Sequence, residues 1–94
     1  MGAALHVIGE HKASKGLIRI EFDVVDGRAE NVRITGDFFM YPEEAVEELE
    51  GELEGKPVDT LDDVIRGFFN GRDVETPGAA PDDFIKALRK VLEV

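Results

Sequence analysis

Two histidines, one serine and two lysines stand close together near the start of this chain, and their side chains could do chemistry. His6 and His11 are five apart in a strand-like stretch. That spacing gives them opposite parity and keeps them from sharing one metal ion. His6 sits among apolar residues and reads as a structurally satisfied histidine. His11-Lys12 reads either as an anion contact or as a solvated strand end. Ser14-Lys15-Gly16 lacks both the glycine-rich lead and the following helix of a phosphate-binding loop. Ser14 has no histidine and carboxylate at a spacing that makes a triad, which ranks an independent small hydrolase low. Cysteine is absent, so thiolate nucleophiles, thiolate metal sites and iron–sulfur ligation are excluded. What remains is cationic: Lys12 and Lys15 on either side of a turn.

The second feature is the stretch Ile34-Thr35-Gly36-Asp37-Phe38-Phe39-Met40-Tyr41-Pro42. An apolar strand ends in Thr-Gly-Asp, four large side chains follow, and Pro-Glu-Glu opens a helix. Four consecutive large side chains in an extended or turning segment cannot all point inward. At least one or two of Phe38, Phe39, Met40 and Tyr41 must face another surface. The stretch is either a packing corner between helix and sheet or an edge that contacts a partner. Asp37, following Gly36, reads as a turn-shaping residue and not as a base.

Charge narrows the function classes. The formal net charge is −10, and residues 43–63 hold ten Asp/Glu against a single Lys. No Lys/Arg stripe is available to displace phosphate counterions, so a nucleic-acid reader is disfavoured, as is binding to an anionic membrane. The acidic run is a solvated helix face or a patch that meets a basic partner. No apolar run approaches the roughly 18 residues of a membrane span. Met1-Gly2-Ala3 has neither the charged start nor the apolar core of a signal peptide. The expectation is a cytoplasmic protein with residues 1–94 as a single domain.

The elements that must position these residues are legible from periodicity. Leu5–Ile8 reads as a short first strand, with Gly9 and Glu10-His11-Lys12 leading out of it. In Leu17–Val25, Ile18, Ile20, Phe22 and Val24 alternate with charged residues, as in a strand with one wet face. Asp26-Gly27 is a hairpin turn, and Arg28–Phe38 is the returning strand, with Gly36 on its apolar face where a close neighbour can enter. Pro42 suits the first position of a helix whose apolar stripe is Ala45, Val46, Leu49 and Leu53. Glu52 and Glu54 fall at its electrostatically unfavourable end. Thr60 with Asp63 suggests a capping box for a second helix, with Leu61, Val64, Ile65, Phe68 and Phe69 inward. Pro81-Asp82-Asp83 opens a third, with Phe84, Ile85, Leu88, Val91 and Leu92 inward. The predicted fold is α+β: a three-stranded antiparallel sheet followed by three helices, a two-layer sandwich.

Gly36-Asp37-Phe38-Phe39 followed by Pro42-Glu43-Glu44 and an acidic amphipathic helix resembles the C-terminal accessory domain of lipoate–protein ligases. Lys12, the Lys15-Gly16 turn and Leu17-Ile18-Arg19-Ile20 resemble that domain's opening hairpin, and Pro77-Gly78 before Pro81-Asp82-Asp83-Phe84 fits as well. Members commonly have Gly before Lys in the turn. Here Lys15 precedes Gly16, so Lys12 and Lys15 both stand for the family lysine. The resemblance implies a SufE/NifU-like fold, without the cysteines that give those assembly proteins their chemistry. It implies a non-catalytic accessory subunit of a two-component ligase. On that reading a larger catalytic subunit binds ATP, Mg and lipoate, makes lipoyl-AMP and transfers lipoyl to a carrier-domain lysine. The small chain binds no cofactor by itself and covers the active site. Lys12, Lys15 and Gly16 would lie near substrate, and Gly36, Asp37, Phe38, Phe39, Met40 and Tyr41 at the interface. The alternative is a protein-interaction module related to the SufE/NifU proteins.

Overall fold

In a computed structural model, which describes residues 4–92 and side chains as far as Val91, three strands are followed by three helices. The readings at Met1-Gly2-Ala3 and at the Leu92 side chain lie outside the described residues. Strands β1 (Leu5–Ala13), β2 (Gly16–Val25) and β3 (Arg28–Gly36) form an antiparallel sheet in the order β1-β2-β3. Helices α1 (Ala45–Leu53), α2 (Leu61–Gly71) and α3 (Pro81–Leu92) follow, with a 3₁₀ turn at Val58–Thr60 before α2. Helix α3 packs on β1 and β2, α1 packs on β3, and α2 bridges α1 and α3. The expected α+β fold, a sheet with one face covered by helices, is what forms. None of the described helices is long and apolar enough to cross a membrane.

The alternation in β2 produces the core as expected: Ile18, Ile20 and Phe22 are fully buried under the helices. Leu49 and Leu53 from α1, Leu61, Ile65 and Phe68 from α2, and Phe84, Ile85, Leu88 and Val91 from α3 complete it. Asp26 and Gly27 both take positive φ, 52° and 75°, the primed hairpin turn that their types favour.

The first strand runs five residues beyond the predicted end at Ile8. Gly9 does not stop it. It pairs with Ile20 and lies directly beneath α3, where an added Cβ would overlap Ala87 O and Val91 Cγ2. A glycine inside a strand can mark such a close approach as readily as an end. Gly9→Ala is expected to cost about 3 kcal/mol, since backbone of α3 must move to admit the methyl group. An unchanged urea midpoint for this variant would show that β1 and α3 separate freely.

The third strand ends at Gly36, two residues earlier than expected. Gly36 has φ 140°, and a Cβ there would run into Leu17 O, so only glycine lets the chain pass. Within β3 the register slips between the Glu21–Arg33 and Asp23–Glu30 pairs, leaving one extra residue on β3, and Asn31 takes φ 55°. The outer edge of this bulged strand is covered by glutamates from α1 and its C-terminal cap. Glu54 accepts hydrogen bonds from the amides of Asn31 (2.8 Å) and Val32 (3.0 Å), and Glu50 from that of Ile34 (2.7 Å). Glu48 and Glu52 reach the other way and pair with Arg72, whose guanidinium lies 4.9 Å from the Phe68 ring centre. Much of the acidic run is therefore structural, which neither sequence reading of it anticipated.

Two helix starts differ from prediction. Pro42 is not a first helical residue. The Tyr41-Pro42 peptide is cis, Tyr41 is bonded to Glu75 through both backbone groups, and α1 begins only at Ala45. Thr60 and Asp63 do not form a capping box, because the 3₁₀ turn directs the Thr60 hydroxyl to Pro57 O (2.8 Å). The side-chain-to-backbone half of such a box occurs instead at α3, where Asp83 accepts the Ala80 amide (2.8 Å).

Candidate functional site

Folding brings the two sequence features together. The two-residue turn Ser14-Lys15 joins β1 to β2, and the chain leaving β3 crosses beside it. Asp37 grips this hairpin twice: its amide donates to Leu17 O (3.1 Å), and its carboxylate accepts the Leu17 amide. Gly16 is required there, since an added Cβ would stand 2.7 Å from Asp37 O. Asp37 is thus the turn-shaping residue that its place after Gly36 suggested.

On its other side the hairpin rests on the loop before α3. The Lys15 amide donates to Gly78 O (3.1 Å), and the Lys15 stem lies against Gly78, leaving no room for a side chain at that position. Gly78 has φ 80°. The loop is closed on itself by the Ala79 amide on Thr76 O (3.0 Å) and the Thr76 hydroxyl on Ala79 O (2.7 Å). Lys12 and Lys15 are exposed, and neither enters an ion pair among the described residues. Two free ammonium groups therefore stand at the end of a turn whose backbone is held from both sides. Their chemistry is that of positioned cations able to meet an anion. A neutral nucleophile would need a base beside it.

The following segment divides as its composition requires. Phe38 is half-buried, edge-on to Phe84 with ring centres 5.2 Å apart, and Met40 is 4% exposed. Phe39 and Tyr41 turn outward, 61% and 46% exposed, and their rings lie parallel with centres 6.4 Å apart. The Tyr41 backbone is fixed by its amide on Glu75 O (2.8 Å) and its carbonyl on the Glu75 amide (2.9 Å). The result is a rigidly presented aromatic pair on the segment that Asp37 ties to the lysine hairpin.

The histidines play parts that spacing did not reveal. His6 is structurally satisfied, as its place suggested, but by carboxylates and not by apolar packing. It faces the open side of the sheet, with Nδ1 2.8 Å from Asp23 and Nε2 2.9 Å from Glu21. The hydrogen bond with Asp23, then that with Glu21, raises its pKa, because imidazolium can donate from both nitrogens. His11 is not a solvated end: the anion it contacts is a carboxylate of the chain itself. Its Nε2 lies 3.0 Å from an Asp83 oxygen, in a half-buried link between β1 and α3. Bonding from the Ala80 amide, and to a lesser degree from His11, holds the Asp83 carboxyl below its usual range against the opposing effect of burial. The only trace of this link in the sequence is the acidic opening of α3, which reads equally well as ordinary helix capping.

Residues 4–88 match the family model described as the bacterial lipoate protein ligase C-terminus. Over 80 residues the chain is 46% identical to the lipoate-protein ligase A subunit 2 of Thermoplasma acidophilum, covering 85% of this chain and 84% of that protein. Its fold superposes with TM-score 0.85 and 42% identity on a chain solved in a structural study of an archaeal lipoylation system. That study concerns a bi-partite lipoate protein ligase and its E2 lipoyl domain from the same organism. The superposition covers 93% of this chain and 98% of the other.

Proposed function

The chain belongs to the lipoate protein ligase C-terminal family, and from that membership we propose that it is the small, accessory subunit of a two-component lipoate–protein ligase. The observation that carries this reading is the likeness, over nearly its whole length, to a protein that is itself a separate second subunit. Its partner is the large catalytic subunit, and through it a lipoyl carrier domain. ATP, Mg and lipoate bind on the catalytic subunit, which supplies the chemistry of acyl-adenylate formation in the cytoplasm.

This chain's contribution is position and exclusion. The hairpin carrying Lys12, Lys15 and Gly16 faces the substrates, and its free ammonium groups oppose negative charge on the phosphate being transferred. The Gly36–Tyr41 segment meets the catalytic subunit through Phe39 and Tyr41, while Phe38 and Met40 anchor it to the core. Docking of such a cap removes water from the reacting groups, which strengthens local electrostatics and protects an acyl-adenylate from hydrolysis.

The test is a reconstitution. Catalytic subunit, lipoate and ATP are combined with and without the purified chain, and lipoyl-AMP is measured. Formation should depend on the chain and saturate as it is added. Equal rates in its absence would remove the accessory role.

A further inference from the structure

We propose that His11 and Asp83 are positioning residues that set where the lysine hairpin points, by locking it to the loop at the start of α3. This rests on the reading of Lys12 and Lys15 as cations that face the substrates.

Two cross-links join the hairpin to residues 76–83. One is the Lys15 amide on Gly78 O, and the other is His11 on Asp83. They are four residues apart on the hairpin side and five on the loop side, so together they close a small ring. Each side of the ring is stiff. On the hairpin side, every residue from His11 to Ala13 is paired with β2. On the loop side, the Thr76–Ala79 turn is closed by two hydrogen bonds, and Asp83 binds the Ala80 amide with its second oxygen. Asp83 thus uses one oxygen to set the loop and the other to attach it to the strand that carries Lys12. Without the His11 bond the turn is joined to the loop by the single Lys15–Gly78 contact, and it can shift on that side while Asp37 still holds the other. In this role His11 and Asp83 act through the lysines and not by touching substrate.

The link is tested first in the isolated chain, by amide hydrogen exchange on His11→Ala and His11→Gln. Exchange at the Lys15 amide should rise about tenfold or more in His11→Ala, the lower end of what loss of a hydrogen bond to a charged group costs. Amides of the β2–β3 ladder should keep their protection. His11→Gln, which retains a donor able to reach Asp83, should recover most of the Lys15 protection. In the reconstituted reaction, adenylation at saturating chain should fall in His11→Ala and return in His11→Gln. Unchanged Lys15 protection in His11→Ala overturns the proposal. Lost protection with unchanged adenylation also overturns the positioning role, but leaves the subunit assignment standing. A rate indifferent to the wild-type chain is the separate signature of a failed assignment, and the positioning role falls with it.

Discussion

Replacing Phe39 and Tyr41 together by serine should weaken association with the catalytic subunit by about 100-fold or more while the chain stays folded. Large exposed aromatics are the side chains most often found to dominate binding, at about 2 kcal/mol or more each when they fill a partner's pocket. Two such losses correspond to at least the expected factor. The geometry favours a large effect because the pair is already held in place. Met40 between them is buried, and Tyr41 is fixed by two backbone hydrogen bonds to Glu75, so little ordering remains to be done on docking. Folding is spared because neither ring belongs to the buried core. Association measured by titration calorimetry, with thermal unfolding of each variant as control, checks both halves. An unchanged dissociation constant would show that the aromatic pair lies outside the interface.

The partner surface that this pair suits can be narrowed by asking which acidic groups remain free. Of the glutamates in and capping α1, Glu48 and Glu52 hold Arg72, while Glu50 and Glu54 cover the edge of β3. Glu43, Glu44 and Glu47, next in sequence to the Tyr41 side of the aromatic pair, enter no ion pair among the described residues. A hollow lined by apolar side chains and rimmed by Lys or Arg would complement this arrangement. The charges there would serve encounter and register more than final affinity.

Some of this organisation was legible in the residues and some was not, for physical reasons. The period-2 alternation of Ile18, Ile20 and Phe22 and the helical stripes that include Phe68 and Leu88 marked out sheet, helices and core, because burial on one face leaves that imprint in any sequence. Glu52 and Glu54 at the negative end of α1 stood out as misplaced, and their contacts with Arg72 and β3 explain why they are tolerated there. Gly9 was misread because a glycine looks the same whether it ends a strand or admits a helix, and the helix in question lies some eighty residues downstream. The His11–Asp83 link spans 72 residues and obeys no period. At the site, the two lysines and the outward-facing aromatics could be named from local sequence. Their adjacency depends on Asp37 and Gly78, which meet the hairpin only in three dimensions.

Of the two lysines, the geometry favours Lys15 for the larger role. Its backbone is bonded to Gly78 and its stem is laid along that glycine, so its ammonium group starts from a fixed base; Lys12 projects from a strand with no such support. With the catalytic subunit saturated by the variant chain, Lys15→Ala should slow lipoyl-AMP formation by about 100-fold, the lower end of what removing one preorganised charge-stabilising donor costs. Lys12→Ala should have a smaller effect. Lys15→Arg should restore part of the rate, since it keeps the charge but not the shape of the ammonium. Saturation matters because it separates loss of chemistry from loss of binding: a defect that disappears as more chain is added belongs to the interface. Both lysines are exposed and enter no ion pair among the described residues, so neither substitution should change the unfolding free energy by more than about 0.5 kcal/mol. If both alanine variants support adenylation at the wild-type rate, the hairpin supplies no cation, and the chain acts by docking and exclusion alone.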